Sequence, residues 1–282
     1  QRHAVLPRVG AVKLHEDGRR LMDLVAAGTA RVIAVSVRLE RGRWHAAFTV
    51  EQDVARPAPA DSGAVVGVDL GIKRLAVLST GEEIPNPGHL RGAQRTVQRL
   101  ARRVSRRQGP DRRTGQVPSN RWRRASASLA KAQGKVADQR RDALHKTTTD
   151  LTARYGDPRP GGPAAAGMLR NRRLARAVSD AAFGEFRRQV GYKDAWRGGR
   201  VIIADRWFAS SKDMLGLCGA VKTKLLLSER TYVCSSCGIV SDRDLNATRN
   251  LARYGSNNWP GVARTVTDVE PTVRPGRTGW WL

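Results

Sequence analysis

Between Arg31 and Glu51 the chain reads RVIAVSVRLERGRWHAAFTVE, with apolar and polar residues alternating on both sides of Arg41-Gly42. Side chains of a strand point alternately to its two faces, so this pattern predicts a β-hairpin turning at that pair. A second apolar block, GAVVGVDLGIKRLAVLSTGEEI at 63–84, predicts a buried strand over Ala64–Val68 that ends on Asp69. A glycine-containing bend follows, then a second strand over Leu75–Leu78 and a turn at Thr80-Gly81. Residues 91–148 predict two helices separated by Gly109-Pro110 and Gln116-Val117-Pro118. In 169–196, Leu174, Val178, Ala182, Phe186 and Val190 fall four apart and predict a helix with one apolar stripe. RVIIADRWF at 200–208 predicts a strand. A cysteine-containing segment, a short helix over NATRNLARYG and a Pro/Gly-rich tail after Gly255, predicted disordered, complete the chain.

Charge changes the picture of the helices. The 282 residues hold 51 Lys+Arg against 25 Asp+Glu, a formal net charge of +26. Such an excess points to a polyanionic partner, because each phosphate neutralised releases counterions. Residues 91–148 carry 17 Lys+Arg and 3 Asp, counted along the sequence. Arg95, Arg99, Arg102, Arg103, Arg106 and Arg107 recur at helical spacing, and Arg121, Arg123 and Arg124 flank Trp122. Like charges this dense destabilise an isolated helix, so a phosphate backbone is their expected counterpart. Trp122 is a candidate to stack on a base or to pack inside. No apolar run is long enough to span a bilayer, and no signal peptide opens the chain, although QRHAVLPRVG reads like the middle of something. Three cysteines do not make a disulfide framework, which predicts a reducing, cytoplasmic (nucleoid-associated) setting with no membrane partner.

Two groups of residues carry candidate chemistry. Cys234 and Cys237 form a C-x-x-C knuckle, half of a tetrahedral zinc site. Cys218 is the remaining cysteine, either a third ligand or a small buried hydrophobe, and none of the five histidines lies near. Asp69 ends a buried strand, and the acidic D-R-D-L-N follows the knuckle.

GVDLGIKRLAVLS, the basic RRQGPDRRTGQVPSNRWRRAS, GMLRNRRLARAVSDAAFGEFRRQVGYKDAW, ADRWFASSK and SERTYVCSSCGIVSDRDLNATRNLA, in that order, resemble the OrfB/TnpB family of insertion-sequence proteins. These are compact relatives of the type V CRISPR effectors, long called transposases. The resemblance implies an α/β, ribonuclease-H-like (RuvC) mixed sheet, expected to have five strands, with a basic helical insertion and an inserted C-terminal zinc ribbon. It implies an RNA-guided DNA endonuclease that uses Mg2+ or Mn2+, held by carboxylates because these ions want hard oxygen ligands. Guide RNA from the insertion-sequence end and DNA are the implied partners, with no small-molecule substrate. Asp69 matches the first family carboxylate and Asp244, in the D-x-N-A pattern with Asn246, the third; Asp242 is a neighbour that could be mistaken for it. Cys218, Cys234 and Cys237 match zinc ligands.

The chain departs from the family pattern in two places. The second carboxylate is a Glu at the end of a buried strand, before Gly167-Met168; here the sequence is GDPRPGGPAAAGM. No Glu occurs between Glu83 and Glu185, and Asp157 precedes the expected position. Pro and Gly are poor residues for a central parallel strand, so a malformed strand near 158–164 is predicted. The family's first C-x-x-C is also missing after Ser210-Ser211-Lys212, where DMLGLCG stands. Both losses fit short compensated frameshifts. Codons for Asp213–Cys218 read one base later can spell Thr-Cys-Ser-Gly-Cys, and those for Gly161-Gly162-Pro163 can spell Glu-Asp-Leu.

The expected organisation is a partial β-rich wedge remnant (1–60), a first RuvC segment (61–90), the basic helical insertion (91–148) and a middle RuvC segment with a degenerate second motif (149–209). A degenerate zinc ribbon (210–241), a last RuvC segment (242–254) and a disordered tail (255–282) follow. With one carboxylate gone, the expected activity is a catalytically inactive family member, a relic or a nuclease-dead RNA-guided binder.

Overall fold

The structure, a computed structural model, describes residues 2–40, 42–52, 61–161, 171–199, 201–204, 208, 218, 220, 229, 231–254 and 277–281. It divides into two compact units. The first holds 1–55, 96–134 and 270–282, the second 56–95 and 135–269.

In the first unit, β1 (His3–Leu6) and β2 (Gly10–Lys13) form a small hairpin, followed by α1 (Arg19–Ala26). The predicted long hairpin is present as β3 (Ala30–Glu40) and β4 (Arg43–Gln52), with Gly42 at φ +78° in its turn. Val35, Val37 and Leu39 pair with Phe48, Ala46 and Trp44 along one face, as the alternation requires. The tail does not lack structure throughout: β11 (Arg277–Trp281) pairs antiparallel with β4, Trp280 opposite Phe48. A Thr-Gly-Trp-Trp run supplies β-favouring residues after the last proline, and β4 offers a free edge. Residues 255–276 lie outside the described residues.

The second unit is built on a sheet of order β7-β6-β5-β8. Strands β5 (Asp61–Leu70), β6 (Arg74–Leu78) and β7 (Glu83–Pro85) form an antiparallel meander, and β8 (Tyr155–Gly161) runs parallel to β5. The sheet is mixed, with four strands among the described residues rather than the expected five. Of the predicted strand 200–208, only 201–204 and 208 are described. Of the segment predicted to be malformed, 158–161 lie in a strand over 155–161 that pairs in register with β5 from Val65 to Asp69, and 162–164 lie outside the described residues. Pro158 and Pro160 are two residues apart, so their missing N–H groups fall on one side of the strand and leave the other side free to pair with β5.

Two helices, α2 (His89–Ser105) and α3 (Asn120–Arg154), occupy the basic stretch. The predicted helix over 169–196 is two: α4 (Ala175–Ala181) and α5 (Phe183–Trp196), broken at Ala182, which is left-handed with φ +50°. The break turns the apolar stripe, so that Val178, Ala181, Phe183, Phe186 and Val190 are all buried. They pack with Val66, Val68, Leu70, Leu75 and Leu78 of the sheet and with Leu144 and Leu151 of α3 into one core. The last helix, α6 (Arg243–Arg253), lies on β5 and β8. Gly67 makes this approach possible: a Cβ there would stand 1.8 Å from the Thr248 carbonyl oxygen and 2.6 Å from the Ala252 backbone nitrogen.

Candidate active site and cysteine cluster

Three elements meet at the carboxyl end of β5. Asp69 is its penultimate residue, Asp244 stands in the first turn of α6, and Gly161 closes β8. Burial pushes the Asp69 carboxyl up to about 7, and the neighbouring Asp244 carboxylate adds to that rise; Arg243 and Arg187 oppose it. Two carboxylates that feel one another in a desolvated pocket make a cation-binding arrangement. The Arg243 guanidinium sits 3.3 Å from Asp244 Oδ1. Arg187 of α5 donates through Nη2 to the Gly161 carbonyl at 3.4 Å.

The neighbouring Asp242 has a different task. Its Oδ1 accepts the backbone N–H groups of Asp244 (2.9 Å) and Leu245 (3.0 Å), which caps α6 and fixes the turn that carries Asp244. Asn246 is buried on the same helix.

The β5–β8 ladder shows what is missing. In a parallel pair, residues in register point to the same face, and the register is Asp69↔Gly161. The side chain beside Asp69 on this strand is therefore a hydrogen atom. Asp157 shares the face but pairs with Val65, four residues back, about 13 Å along the strand. A Cβ on Gly161 would first meet the Leu251 side chain, at 2.3 Å from Cδ2 and 2.6 Å from Cδ1. Among the described residues the donor set is thus the pair Asp69 and Asp244, which suits one hard divalent cation and is a carboxylate short of a set that clamps two.

Sequence reasoning passed over Arg187 and Asp194. Arg187 lies four residues after Phe183 and three before Val190, at the border of the buried stripe, a position from which a long cation reaches inward. Asp194 is completely buried, and among the described residues neither carboxylate oxygen has a hydrogen-bond partner. Burial, then the Asp157 charge, raises it to about 7, while Arg197 opposes. Beside it Lys193 donates to the His145 carbonyl (2.7 Å), Thr148 Oγ1 (2.8 Å) and Thr149 Oγ1 (2.7 Å), and burial lowers it to about 8.

The basic residues form a concave surface within the first unit. Arg99, Arg102, Arg103, Arg106, Arg107 and Arg121 line a cavity of about 650 Å³ between the end of α2 and the start of α3. Among the described residues none of these six forms an ion pair with a carboxylate. Arg106 and Arg107 lie just past the end of α2. Arg95, Arg123 and Arg124 are exposed but do not line the cavity. Trp122 is half-buried and packs on Gly109, where a Cβ would stand 2.9 Å from its Nε1.

The cysteines come together in the second unit. A short hairpin, β9 (Thr231–Val233) with β10 (Val240–Asp242), carries the knuckle in its loop. Cys234 N donates to the Ile239 carbonyl, Gly238 N donates to the Cys234 carbonyl, and Gly238 takes the left-handed φ of +71° that the turn requires. The N–H groups of Cys237 and Ser236, aimed at Cys234 Sγ, pull that thiol down to about 7. Cys218 is exposed rather than a buried hydrophobe, and its sulfur lies 3.4 Å from that of Cys234. The rest of the predicted ribbon, including 210–217, lies outside the described residues.

The OrfB_IS605 family, described as a probable transposase, matches residues 45–159. The Cas12f1-like TNB domain matches residues 183–251. A Streptomyces pristinaespiralis protein named "Putative RNA-guided DNA endonuclease" is 40% identical over 251 residues, which cover 89% of this chain and 58% of that protein. A Mycobacterium tuberculosis protein of the same description is 36% identical over 269 residues, 90% of this chain and 55% of that one. InsQ of Escherichia coli is 29% identical over 265 residues, 89% and 61%. The chain spans little more than half the length of these relatives. In fold it is similar to the protein of a Cas12f1–sgRNA–target DNA complex, with a TM-score of 0.56 at 13% identity, over 84% of this chain and 48% of that one. No helix among the described residues is long and apolar enough to cross a membrane.

Proposed function

The chain belongs to the OrfB/TnpB family, and from that premise we propose that it is an RNA-guided DNA endonuclease by descent that binds nucleic acid without cutting it. The observation that carries this reading is the register Asp69↔Gly161. Two-metal phosphodiester hydrolysis needs ligands enough to hold one ion at the attacking oxygen and one at the leaving oxygen. Bound Mg2+ or Mn2+ would supply that activation, and Asp69 and Asp244 are the residues here that would hold it. With Gly161 beside Asp69, the charges of Arg187 and Arg243 offset those of the two carboxylates. A divalent ion gains less from entering such a pocket than from one lined by three free carboxylates.

What remains is binding. The arginine-lined cavity between α2 and α3 is concave, cationic and open to a phosphate backbone. Guanidinium groups recognise phosphate bidentately, which suits guide RNA and DNA as partners in the manner the relatives' names describe. The origin of the guide in the insertion-sequence end, and a nucleoid-associated location, belong to the same proposal.

The test combines two measurements on the full chain. Filter binding of RNA and of DNA across a salt series is expected to give an affinity that falls steeply with salt. Incubation of labelled DNA and guide RNA with Mg2+ or Mn2+ is expected to give no cleavage beyond that of Asp69→Ala and Asp244→Ala. Cleavage that these two substitutions remove overturns the reading; salt-insensitive or absent binding leaves the chain a relic rather than a binder.

A further inference from the structure

The chain contains three cysteines in all, and the fold gathers every one of them. Their sulfurs lie within 4.8 Å of one another, with Cys218 and Cys234 at 3.4 Å. Three thiolates on a tetrahedral zinc ion with Zn–S bonds of about 2.3 Å stand about 3.8 Å apart. The cluster therefore matches three corners of a tetrahedron, with shifts of under about 1 Å. It offers no fourth sulfur. A closed four-thiolate site cannot form within one copy of this chain, no histidine lies in 146–282 to replace the missing thiolate, and among the described residues no carboxylate joins the cluster.

Burial gives the cluster a direction. Cys234 is 2% exposed and sits on Tyr232, whereas Cys218 and Cys237 are exposed. An ion held by all three has the hairpin behind it and solvent before it. Zinc sites that close all four positions are structural, and those that keep three protein ligands leave the fourth position exchangeable.

We infer that Cys218, Cys234 and Cys237 form an open three-thiolate site that binds one thiophilic divalent ion and leaves its fourth position to an exchangeable external ligand, water or a small thiol. Soft thiolates select zinc over the hard ions suited to Asp69 and Asp244, so the two sites do not compete for one metal. The inference stands on the cysteines alone and holds whether or not the chain binds or cuts nucleic acid.

Co2+ is the probe, because its visible bands report coordination number and its near-ultraviolet bands report bound thiolate. Reduced, chelator-stripped protein is titrated with Co2+, then with Zn2+, and finally with β-mercaptoethanol at fixed Co2+. The expected result is one Co2+ per chain with tetrahedral bands, displacement by Zn2+, and a shift of the bands when the thiol enters. Cys218→Ser and Cys237→Ser, both at exposed positions, are expected to lower affinity at least about tenfold, since even residues that merely support metal ligands have effects of that size. Three outcomes overturn the inference. Absence of tetrahedral bands at stoichiometric Co2+ removes the site. One Co2+ per two chains replaces the open position with a second copy's thiolate. Bands unchanged by added thiol show a closed fourth position. Circular dichroism of each variant separates loss of ligand from loss of fold.

Discussion

Gly67 and Gly161 occupy neighbouring strands under one helix, and their missing side chains do opposite things. Gly67 lets α6 lie against β5, so Gly67→Ala must push backbone from backbone. We expect it to destabilise the chain by about 3 kcal/mol or more, as overpacking against a rigid neighbour does, read as a lowered midpoint in urea. At Gly161 the nearest obstacle is the tip of Leu251. Gly161→Glu is therefore expected to fold and to bind Mn2+ more tightly than the parent protein, a gain that Asp69→Ala abolishes and that Gly161→Gln does not give; calorimetric titration checks all three. Asp194 gives a pH signature. Its folded value is raised to about 7 from 3.8, so the folded state holds a proton there that the unfolded chain has released. Stability is lost as pH rises through that window, by on the order of a few kcal/mol. Asp194→Asn is expected to gain on the parent protein between about pH 4 and pH 8, in thermal unfolding, and a constant difference would contradict the assignment. Asp69 and Asp244 were legible in the sequence because each sits in a distinctive local pattern. Asp194 and Arg187 were not, because their environments are made by β8 and by the loop after α5, which no local pattern encodes.

At the scale of elements, periodicity foretold the β3–β4 hairpin, the β5–β6 pair and the two basic helices. It erred where a local rule met a wider one. Two prolines argued against β8, yet their spacing puts both missing donors on one side of a strand that is at the sheet's edge among the described residues. A stripe at four-residue spacing argued for one helix, yet the core is better filled by two helices that change direction at Ala182. Asp242, which could be confused with the carboxylate site, is a cap in the structure, so Asp242→Ala is expected to lower stability by about 0.5–2 kcal/mol. Chemical denaturation measures it, and an unchanged midpoint would deny the cap. For the arginine cavity, Arg99→Gln with Arg103→Gln is expected to reduce the slope of log affinity against log salt by about 1–2. A uniform loss without change of slope would place these residues outside the phosphate contact.

At the scale of the whole molecule, a net charge of +26 accompanies a candidate site with two carboxylates, Asp69 and Asp244. The motif order announced the family, and the net charge points to the polyanionic partner proposed above. The register between β5 and β8 was beyond reach of either. It is a property of the paired strands, and it puts Gly161 at the residue where a one-base shift of reading frame can spell Glu. The most direct measurement is Mn2+-supported cleavage of DNA, with guide RNA present, by the unaltered chain beside Asp69→Ala. Equal, background cleavage by both is predicted. Cleavage by the unaltered chain that Asp69→Ala abolishes would show that two carboxylates suffice, and would contradict the reading of this protein as a binder that has lost its cut.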